Sequence, residues 1–386
     1  MRPLDGIRIV DLTHAVSGPT CTLMLAQLGA DVVKFEPPVR GDDFRDYTEH
    51  GGLPKMSIPF AAINAGKRSV ALDLKTAAGR DALDALVVRG DVLVENFRPG
   101  VLARLGFPHD RLRALNPRLV IASISGFGQT GPLRDWGAYD HIAQAMSGMA
   151  MMEARNGEPR KIGIPVIDSF SGYLAVIGIL AALRTRDATG VGGDVDIAML
   201  DAALKLMATN LAVESYSGVA PAGTGNRGYR LVATAEYYPT AEGWIALGAN
   251  HQHQVEALWR ALGRAYLIDD PRFATHAARV AHYNDLRATL LDLLSHERAA
   301  ELELRLTTAG IPAAMLRDVG EAARHPHIAQ RGLVTPAIVP GADRTIGVVG
   351  PGFAVETEPD RLKVPTIGEH TAEVLAEIGV AAADPA

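Results

Sequence analysis

The stretch IRIVDLTHAVSGPTCTLMLAQLGADVVKFE, residues 7–36, decides the fold. IRIVDL is rich in Ile, Val and Leu, which suits a short buried strand. SGPTCTLMLAQLG reads as a helix closed by Gly29, and ADVVKFE as a second strand. Strand, helix, strand is a β-α-β unit, and such a crossover makes its two strands parallel. The unit looks like the opening of a dinucleotide-binding fold, and Glu36 stands where a ribose-binding acid would end the second strand. The loop THAVSGP, however, holds one glycine instead of three, so the pyrophosphate fingerprint is absent. The fold resemblance survives and the nicotinamide reading does not.

The alternation continues downstream. NAGKRSVALDL reads as a strand, AAGRDALDALVVRG as a helix closed by Gly90, DVLVENF as a strand, and PGVLARLG as a helix, followed by RLRALNP and the strand LVIASIS. Strands separated by helices imply a Rossmann-like α/β domain, a parallel sheet with helices on both faces. The polar, Pro- and Gly-rich segment PPVRGDDFRDYTEHGGLPKMS is a surface loop able to border a site.

A chain of 386 residues is long for one core, which argues for two domains. The texture changes near Tyr229, where YYPTAEGWIALGA reads as a hairpin. HQVEALWRALG, NDLRATLLDLLS and RAAELELRLTTAG follow as helices, and AAMLRDV as a strand. We therefore expect a large domain over residues 1–200, completed by about 330–386, a linker over 201–224, and a smaller α/β domain over 225–325. RDATGVGGDVDIAMLDAALKLMATNLAVES reads as a Gly-rich turn, a short strand and one long amphipathic helix. The last helix, HTAEVLAEIG, is expected to pack back on the large domain.

Hydrophobic residues make up 48% and charged residues 21%, enough apolar side chain for a core and too much for extended disorder. A formal charge of −6 argues against a general nucleic-acid partner, which needs a basic surface. The single cysteine, Cys21, excludes an intrachain disulfide, and MRPLDGIRIVDL lacks a signal-peptide layout, so a cytoplasmic location is expected. The longest apolar run, Tyr173 to Leu183, is too short to span a bilayer, so no membrane association is expected.

Chemistry-bearing residues are few. Asp168 heads the apolar segment KIGIPVIDSFSGYLAVIGILAALRTR, whose helical run begins near Ser171 and contains Gly172 and Gly178. Local pattern leaves two readings open, a helix cap and a reactive acid. Lys67, Arg68, Lys75, Arg98 and Arg104 recur near strand ends, where open α/β sheets bind ligands, and would suit a phosphate-rich one. GFGQTG, residues 126–131, matches a nucleotide motif literally, but Pro132 follows and no helix opens there, so it reads as a flexible glycine loop. Cys21 has no base beside it, and the pair His251 and His253 lacks further ligands at metal spacing, so no metal is expected. No G-x-S-x-G elbow and no P-loop occur.

The ordered segments DLTHAVSGPTCT, GADVVKFE, GKRSVALDLK, DVLVENFRPG, SISGFGQTGP, YDHIAQAMSG, IDSFSGYLAVIGILAALRTR and GEHTAEVL together resemble the family III CoA-transferases, which include formyl-CoA and carnitine CoA-transferases. The resemblance implies two protomers interlocked as rings in a homodimer, coenzyme A as part of an acyl-CoA substrate, and Asp168 as the catalytic aspartate. Val16 and Ser17, Leu72, Asp73, Leu74 and Lys75, Asn96, Phe97 and Arg98, Arg104, and Tyr139 with Asp140 fall where the family holds CoA. The implied chemistry exchanges one thioester for another through an aspartyl anhydride and an aspartyl-CoA thioester, with a carboxylate that ionises without a base. A helix start would favour the charged form of Asp168 and burial would oppose it.

The sequence departs from the family at three places. GTGNRG, residues 223–228, replaces a longer all-glycine lid, which points away from formate and oxalate. Its Gly225, Asn226 and Arg227 form the candidate substrate loop, and Arg227 or Arg230 would suit the distal carboxylate of a dicarboxylic acid. Pro37 stands where some relatives carry Arg near the adenine, with Arg40 as its possible substitute, and Gly137 stands where a Lys faces the phosphates. Two rival readings are an α-methylacyl-CoA racemase and a CoA-binding protein without turnover. The racemase histidine would fall at Tyr139, a poor base at neutral pH, with His141 two residues away.

Overall fold

The structure, a computed structural model, describes residues 2–155, 157–353 and 362–380. In chain order the elements that build the first half are β1 (Arg8–Asp11), α1 (Ser17–Gln27), β2 (Asp31–Glu36), β3 (Gly52–Leu53), β4 (Met56–Ser57), α2 (Ile58–Asn64), β5 (Arg68–Ala71), α3 (Ala77–Arg89), β6 (Val92–Glu95), α4 (Val101–Arg104), α5 (His109–Leu115), β7 (Val120–Ser125), α6 (Asp140–Met146), α7 (Met149–Met152), α8 (Val166–Thr189), β8 (Asp194–Ala198), α9 (Met199–Leu206) and α10 (Ala208–Ser217). The chain gathers into two compact units. One comprises Met1–Met151, Pro159–Pro221 and Ala329–Ala386, and the other Met152–Glu158 and Ala222–Ile328.

The first unit is built on a six-stranded sheet in the order β5-β2-β1-β6-β7-β8, with every pairing parallel. VLVE of β6 and VIASIS of β7 are buried throughout, as strands covered on both faces must be. One face packs on α3, α5 and the Thr371–Ile378 helix, whose Val374, Leu375 and Ile378 enter the core beside Leu83 and Val70. The last helix thus returns to the large sheet. The other face is covered by α1 and α8 through Cys21, Leu25, Ala175, Val176 and Ile179.

The chain winds outward from β1 to β2 and β5, then returns to β6, β7 and β8 on the other side of β1. The winding direction reverses between β1 and β6. Loops diverge there at the carboxyl ends of the strands and leave a crevice, the usual ligand position in an open α/β sheet.

α8 differs from the sequence expectation in a way that matters below. It begins at Val166, so Asp168 is its third residue and not the residue before it. Its 24 residues are long and apolar enough to cross a membrane by length and composition. One face is nevertheless taken up by α1, β7 and β8, with Ile167, Gly172, Ala175, Val176, Ile179 and Leu183 buried. α8 ends at Gly190, whose φ of 77° lets its amide reach the carbonyl of Arg186.

Two further differences have local causes. The long helix expected after β8 is broken at Met207 into α9 and α10. A three-stranded sheet of Val334–Ile338, Ile346–Val349 and Leu362–Lys363 lies in a stretch read only as connections. Its strands are short and the central one contains Pro336, which masks a strand pattern.

The second unit holds an antiparallel sheet in the order Ala313–Met315, Trp244–Leu247, Tyr237–Pro239. The helices Gln252–Ala261, Tyr283–Leu294 and Ala299–Thr308 close its core around Trp259, Leu286, Leu290, Leu302 and Leu306.

Candidate functional site

The crevice between β1 and β6 is shaped by side chains that tie its loops together. Asn96 follows β6; its Oδ1 accepts the amide of His14 at 2.9 Å and its Nδ2 donates to the carbonyl of His14 at 2.8 Å. The same Nδ2 lies 3.3 Å from Ser17 Oγ. Ala15 takes a φ of 60° between them, and its amide donates to Asp42 Oδ1 at 3.1 Å. A non-glycine residue held left-handed beside a helix start shows that the surrounding bonds dictate this loop. Val16 follows at the N-cap of α1 without a side-chain cap.

Beneath the crevice lies a buried polar network, and it claims Lys67, one of the cations expected to face phosphates. Lys67 is 2% exposed and its Nζ donates to Thr22 Oγ1 at 2.7 Å, Asn64 Oδ1 at 2.8 Å, the Pro19 carbonyl at 3.1 Å and Asp11 Oδ2 at 3.2 Å. Burial pushes the ammonium down to about 8 against the pull of Asp11. Burial also opposes the Asp11 charge, but Lys67 and Lys34 outweigh it and hold that carboxyl at about 2. Arg68 sits at the start of β5, on the opposite edge of the sheet from the crevice, and ties Asp31 to Glu373 and Glu377 of the last helix. Both residues hold the fold together and neither is free for a ligand. Glu36 is likewise spent: Arg45 grips it with two bonds of 2.6 Å, and Ser69 Oγ donates at 2.6 Å. This is why an acid stands at the end of β2 without serving a ribose.

Five of the remaining candidates line one cavity, whereas Arg98 lines a separate one with Glu95 and Asp196. A cavity of about 270 Å³ is lined by Leu72, Asp73, Leu74, Lys75 and Phe97, with His14, Pro37 and Arg40 among its other walls. The His14 and Phe97 rings face each other at 5.8 Å. Lys75, Arg98 and Arg104 are exposed and have no ion-pair partner among the described residues. Arg40 instead pairs with Asp43 at 2.6 Å. Gly137 has a physical reason to be glycine: a β-carbon there would stand 2.7 Å from Arg98 Nη2, so the guanidinium occupies the space of a longer side chain.

Asp168 stands one turn before Gly172 on the same face of α8. Gly172 is pressed against the first turn of α1, at the Ser17 carbonyl and the Thr20 side chain. Burial raises its carboxyl to about 7, Asp140 adds a like charge, and no cation or hydrogen-bond donor among the described residues offsets either. Position in a first helical turn therefore does not keep this acid fully charged, because burial and Asp140 outweigh the helix end.

The cap of α8 is not Asp168 but Asp140. Asp140 Oδ2 accepts the amide of Ile167 at 2.7 Å and that of Asp168 at 3.2 Å, while Oδ1 accepts Gln144 Nε2 at 2.5 Å. Gln144 Oε1 in turn accepts the amide of Ile162 at 2.8 Å. The sequence signal for this arrangement is Pro165, which precedes the helix with no side-chain acceptor and leaves the cap to be supplied from elsewhere. Tyr139 is 72% exposed and stacks on His141 at 6.2 Å.

In the second unit, the GTGNRG turn folds onto its own scaffold. Gly225 has a φ of 62°, the Gly228 amide donates to the Ala235 carbonyl at 2.6 Å, and Gly225 and Asn226 are exposed. The Arg227 guanidinium lies 5.3 Å above the Tyr283 ring. Tyr283 Oη and Arg287 Nε both donate to the buried Glu236, at 2.7 and 2.9 Å. Arg230 is occupied differently, donating to the Asn250 carbonyl at 2.8 Å. Tyr283, Arg287 and Glu236 escaped the sequence reading because Glu236 lies 47 and 51 residues from the other two and the three carry no motif.

Cys21 is fully buried, and burial raises its thiol well above the ordinary range. It is a core residue. GFGQTG runs into irregular backbone with no helix, its Gln129 amide held by Asp196.

Comparison with known proteins gives one answer. The model of CoA-transferase family III matches residues 4–371. The acetyl-CoA:oxalate CoA-transferase of Acetobacter aceti is 38% identical over 92% of this chain and 89% of its own. The succinate–glutarate CoA-transferase of Agrobacterium fabrum is 36% identical over 97% of this chain and 96% of its own. A CAIB/BAIF family protein from Brucella suis superposes with a TM-score of 0.85 at 32% identity, covering 98% of this chain and 99% of that one. This chain belongs to the family III CoA-transferases and is an enzyme of that class.

Proposed function

We propose that this CoA-transferase moves CoA from an acyl-CoA to a dicarboxylic acid by way of Asp168, with CoA held in the crevice between β1 and β6. The observation that carries the reading is the Asp168 carboxyl itself, half-buried, raised to about 7 and without a compensating partner among the described residues. A carboxylate stripped of water and of donors is a stronger nucleophile than a solvated one.

The steps balance without a further reactant. The Asp168 carboxylate attacks the donor thioester carbonyl, the C–S bond breaks, and an acyl-aspartyl anhydride and CoA thiolate result. The thiolate attacks the aspartyl carbonyl, giving aspartyl-CoA thioester and the free donor acid. The acceptor carboxylate attacks that thioester, and the released thiolate attacks the acceptor's carbonyl in the second anhydride. Acceptor-CoA leaves and Asp168 is regenerated.

CoA phosphates suit Lys75, Arg98 and Arg104, exposed cations without an ion-pair partner among the described residues. The Leu72–Lys75 cavity suits the adenine, with the His14 and Phe97 rings as its aromatic wall. The dicarboxylic reading rests on Arg227, whose guanidinium is stacked and donates to the Thr224 carbonyl but has no ion-pair partner among the described residues, and on relatives named for oxalate, succinate, glutarate and mesaconate. A homodimer fits α10, which buries no residue and exposes Leu211, Val213 and a 95% exposed Tyr216.

The test is hydroxylamine trapping. The protein incubated with succinyl-CoA or acetyl-CoA and hydroxylamine should carry a hydroxamate on Asp168, read by peptide mass. Absence of the adduct with every acyl-CoA tried overturns the mechanism. A panel of monocarboxylic and dicarboxylic acceptors, oxalate included, tests the acceptor. If Arg227→Ala leaves the ratio of dicarboxylic to monocarboxylic rates unchanged, the dicarboxylic assignment falls.

A further inference from the structure

We infer that Asp140 is a positioning residue for the transfer: it caps α8 from outside and, through its charge, sets the reactivity of the Asp168 carboxylate. The inference rests on the reading of Asp168 as the nucleophile, and it gives Asp140 a task other than contact with CoA.

The geometry leaves Asp140 little freedom for anything else. Its Oδ2 binds the second and third amides of α8, and its Oδ1 is engaged by Gln144. Those amides are orphan donors of the helix start, and Pro165 offers no side chain to satisfy them. One of them is the amide of Asp168, so the group that closes the helix start also fixes the backbone from which the reacting carboxylate projects. Gln144 extends the brace to the Ile162 amide, and the approach to α8 is thereby pinned to α6 at both ends.

Asp140 is also the charge that acts on Asp168. Of the elements packed on α8, α1 and β7 carry no charged side chain. α6 carries Asp140 and His141, α9 carries Asp201 and Lys205, and β8 carries Asp194 and Asp196. Among these only Asp140 shifts Asp168, raising it further beyond the effect of burial. A more basic carboxylate is a better attacking group and a poorer leaving group. A cap made of serine, threonine or asparagine would close the helix equally well without this effect. The choice of an acid, bonded to the backbone amide of another acid, is what a merely structural cap does not require.

Two measurements on the full-length protein separate the parts of the claim. Hydrogen exchange read over residues 162–170 reports the cap. Asp140→Ala should speed exchange at the Ile167 and Asp168 amides by about tenfold or more, with Asp140→Asn between it and the parent, and unchanged exchange in Asp140→Ala overturns the cap. Hydroxamate formation at Asp168 against pH reports the charge. The parent should show a midpoint near that of the raised carboxyl, and Asp140→Asn should move it to lower pH by about one unit while slowing the plateau rate. An identical midpoint in parent and Asp140→Asn overturns the tuning role. If the parent itself forms no adduct, the nucleophile reading fails and the tuning role with it, while the exchange experiment still decides the cap.

Discussion

Gly172 of α8 meets Ser17 of α1 so closely that a β-carbon on Gly172 would stand 2.6 Å from the Ser17 carbonyl oxygen. The contact fixes the spacing of the two helices at the level of Asp168. Gly172→Ala forces them apart against backbone, which cannot swing away. Thermal melting should show a loss of roughly 1–3 kcal/mol, together with slower turnover. Gly178 is the control: its added carbon meets the Val195 side chain at 2.4 Å, and a side chain has more room to give than a helix backbone.

The pH dependence of stability follows from the raised carboxyl of Asp168. Its folded value of about 7 lies above the ordinary 3.8, so the folded state binds this proton more tightly. The associated stabilisation is complete below about pH 4, declines as pH rises, and is gone above about 7. Asp168→Asn, neutral at every pH, should therefore gain in melting temperature over the parent as pH goes from 5 to 8. An equal difference at both values contradicts the burial of this charge.

Lys67→Met leaves Asp11 buried at 0% exposure with its ammonium partner gone. Breaking one side of a buried ion pair costs about 3–5 kcal/mol. Adding Asp11→Asn should recover part of that loss. Denaturant unfolding of the two single variants and the double variant gives the coupling directly.

Arg68 and Arg98 were indistinguishable as basic residues in the sequence, and they should fail in opposite ways. Arg68→Ala removes the ties from β5 to Glu373 and Glu377, so melting temperature should fall while the KM for acyl-CoA holds. Arg98→Ala removes an exposed cation that has no ion-pair partner among the described residues. KM should rise about tenfold, the worth of one charge-assisted phosphate contact, with melting unchanged. A fall in stability for Arg98→Ala of the same size as for Arg68→Ala removes the case for Arg98 as a ligand contact.

The parallel sheet was legible because buried β-α-β strands write themselves as short runs of Val, Ile and Leu separated by helical periods. β1, α1 and β2 lie within IRIVDL, SGPTCTLMLAQLG and ADVVKFE. The three-stranded sheet around Pro336 was not legible, since short strands interrupted by proline and glycine carry no period. The ordered motifs also pointed to Asp168 as the acid of interest, and its family is confirmed by comparison across residues 4–371.

Sequence by itself determined the α/β class, the position of Asp168 at the head of an apolar segment, and the family. Tertiary structure decided which charges are free. Lys67, Arg68 and Glu36 carry the same letters as residues that bind ligands, but their partners Asp11, Glu377 and Arg45 reach them only when the sheet closes. It decided also that Asp168 is not a cap and that Asp140, 28 residues earlier, is one. A side chain's charge is fixed by its covalent structure, whereas its availability and its proton affinity depend on burial and on neighbours that are distant in the chain.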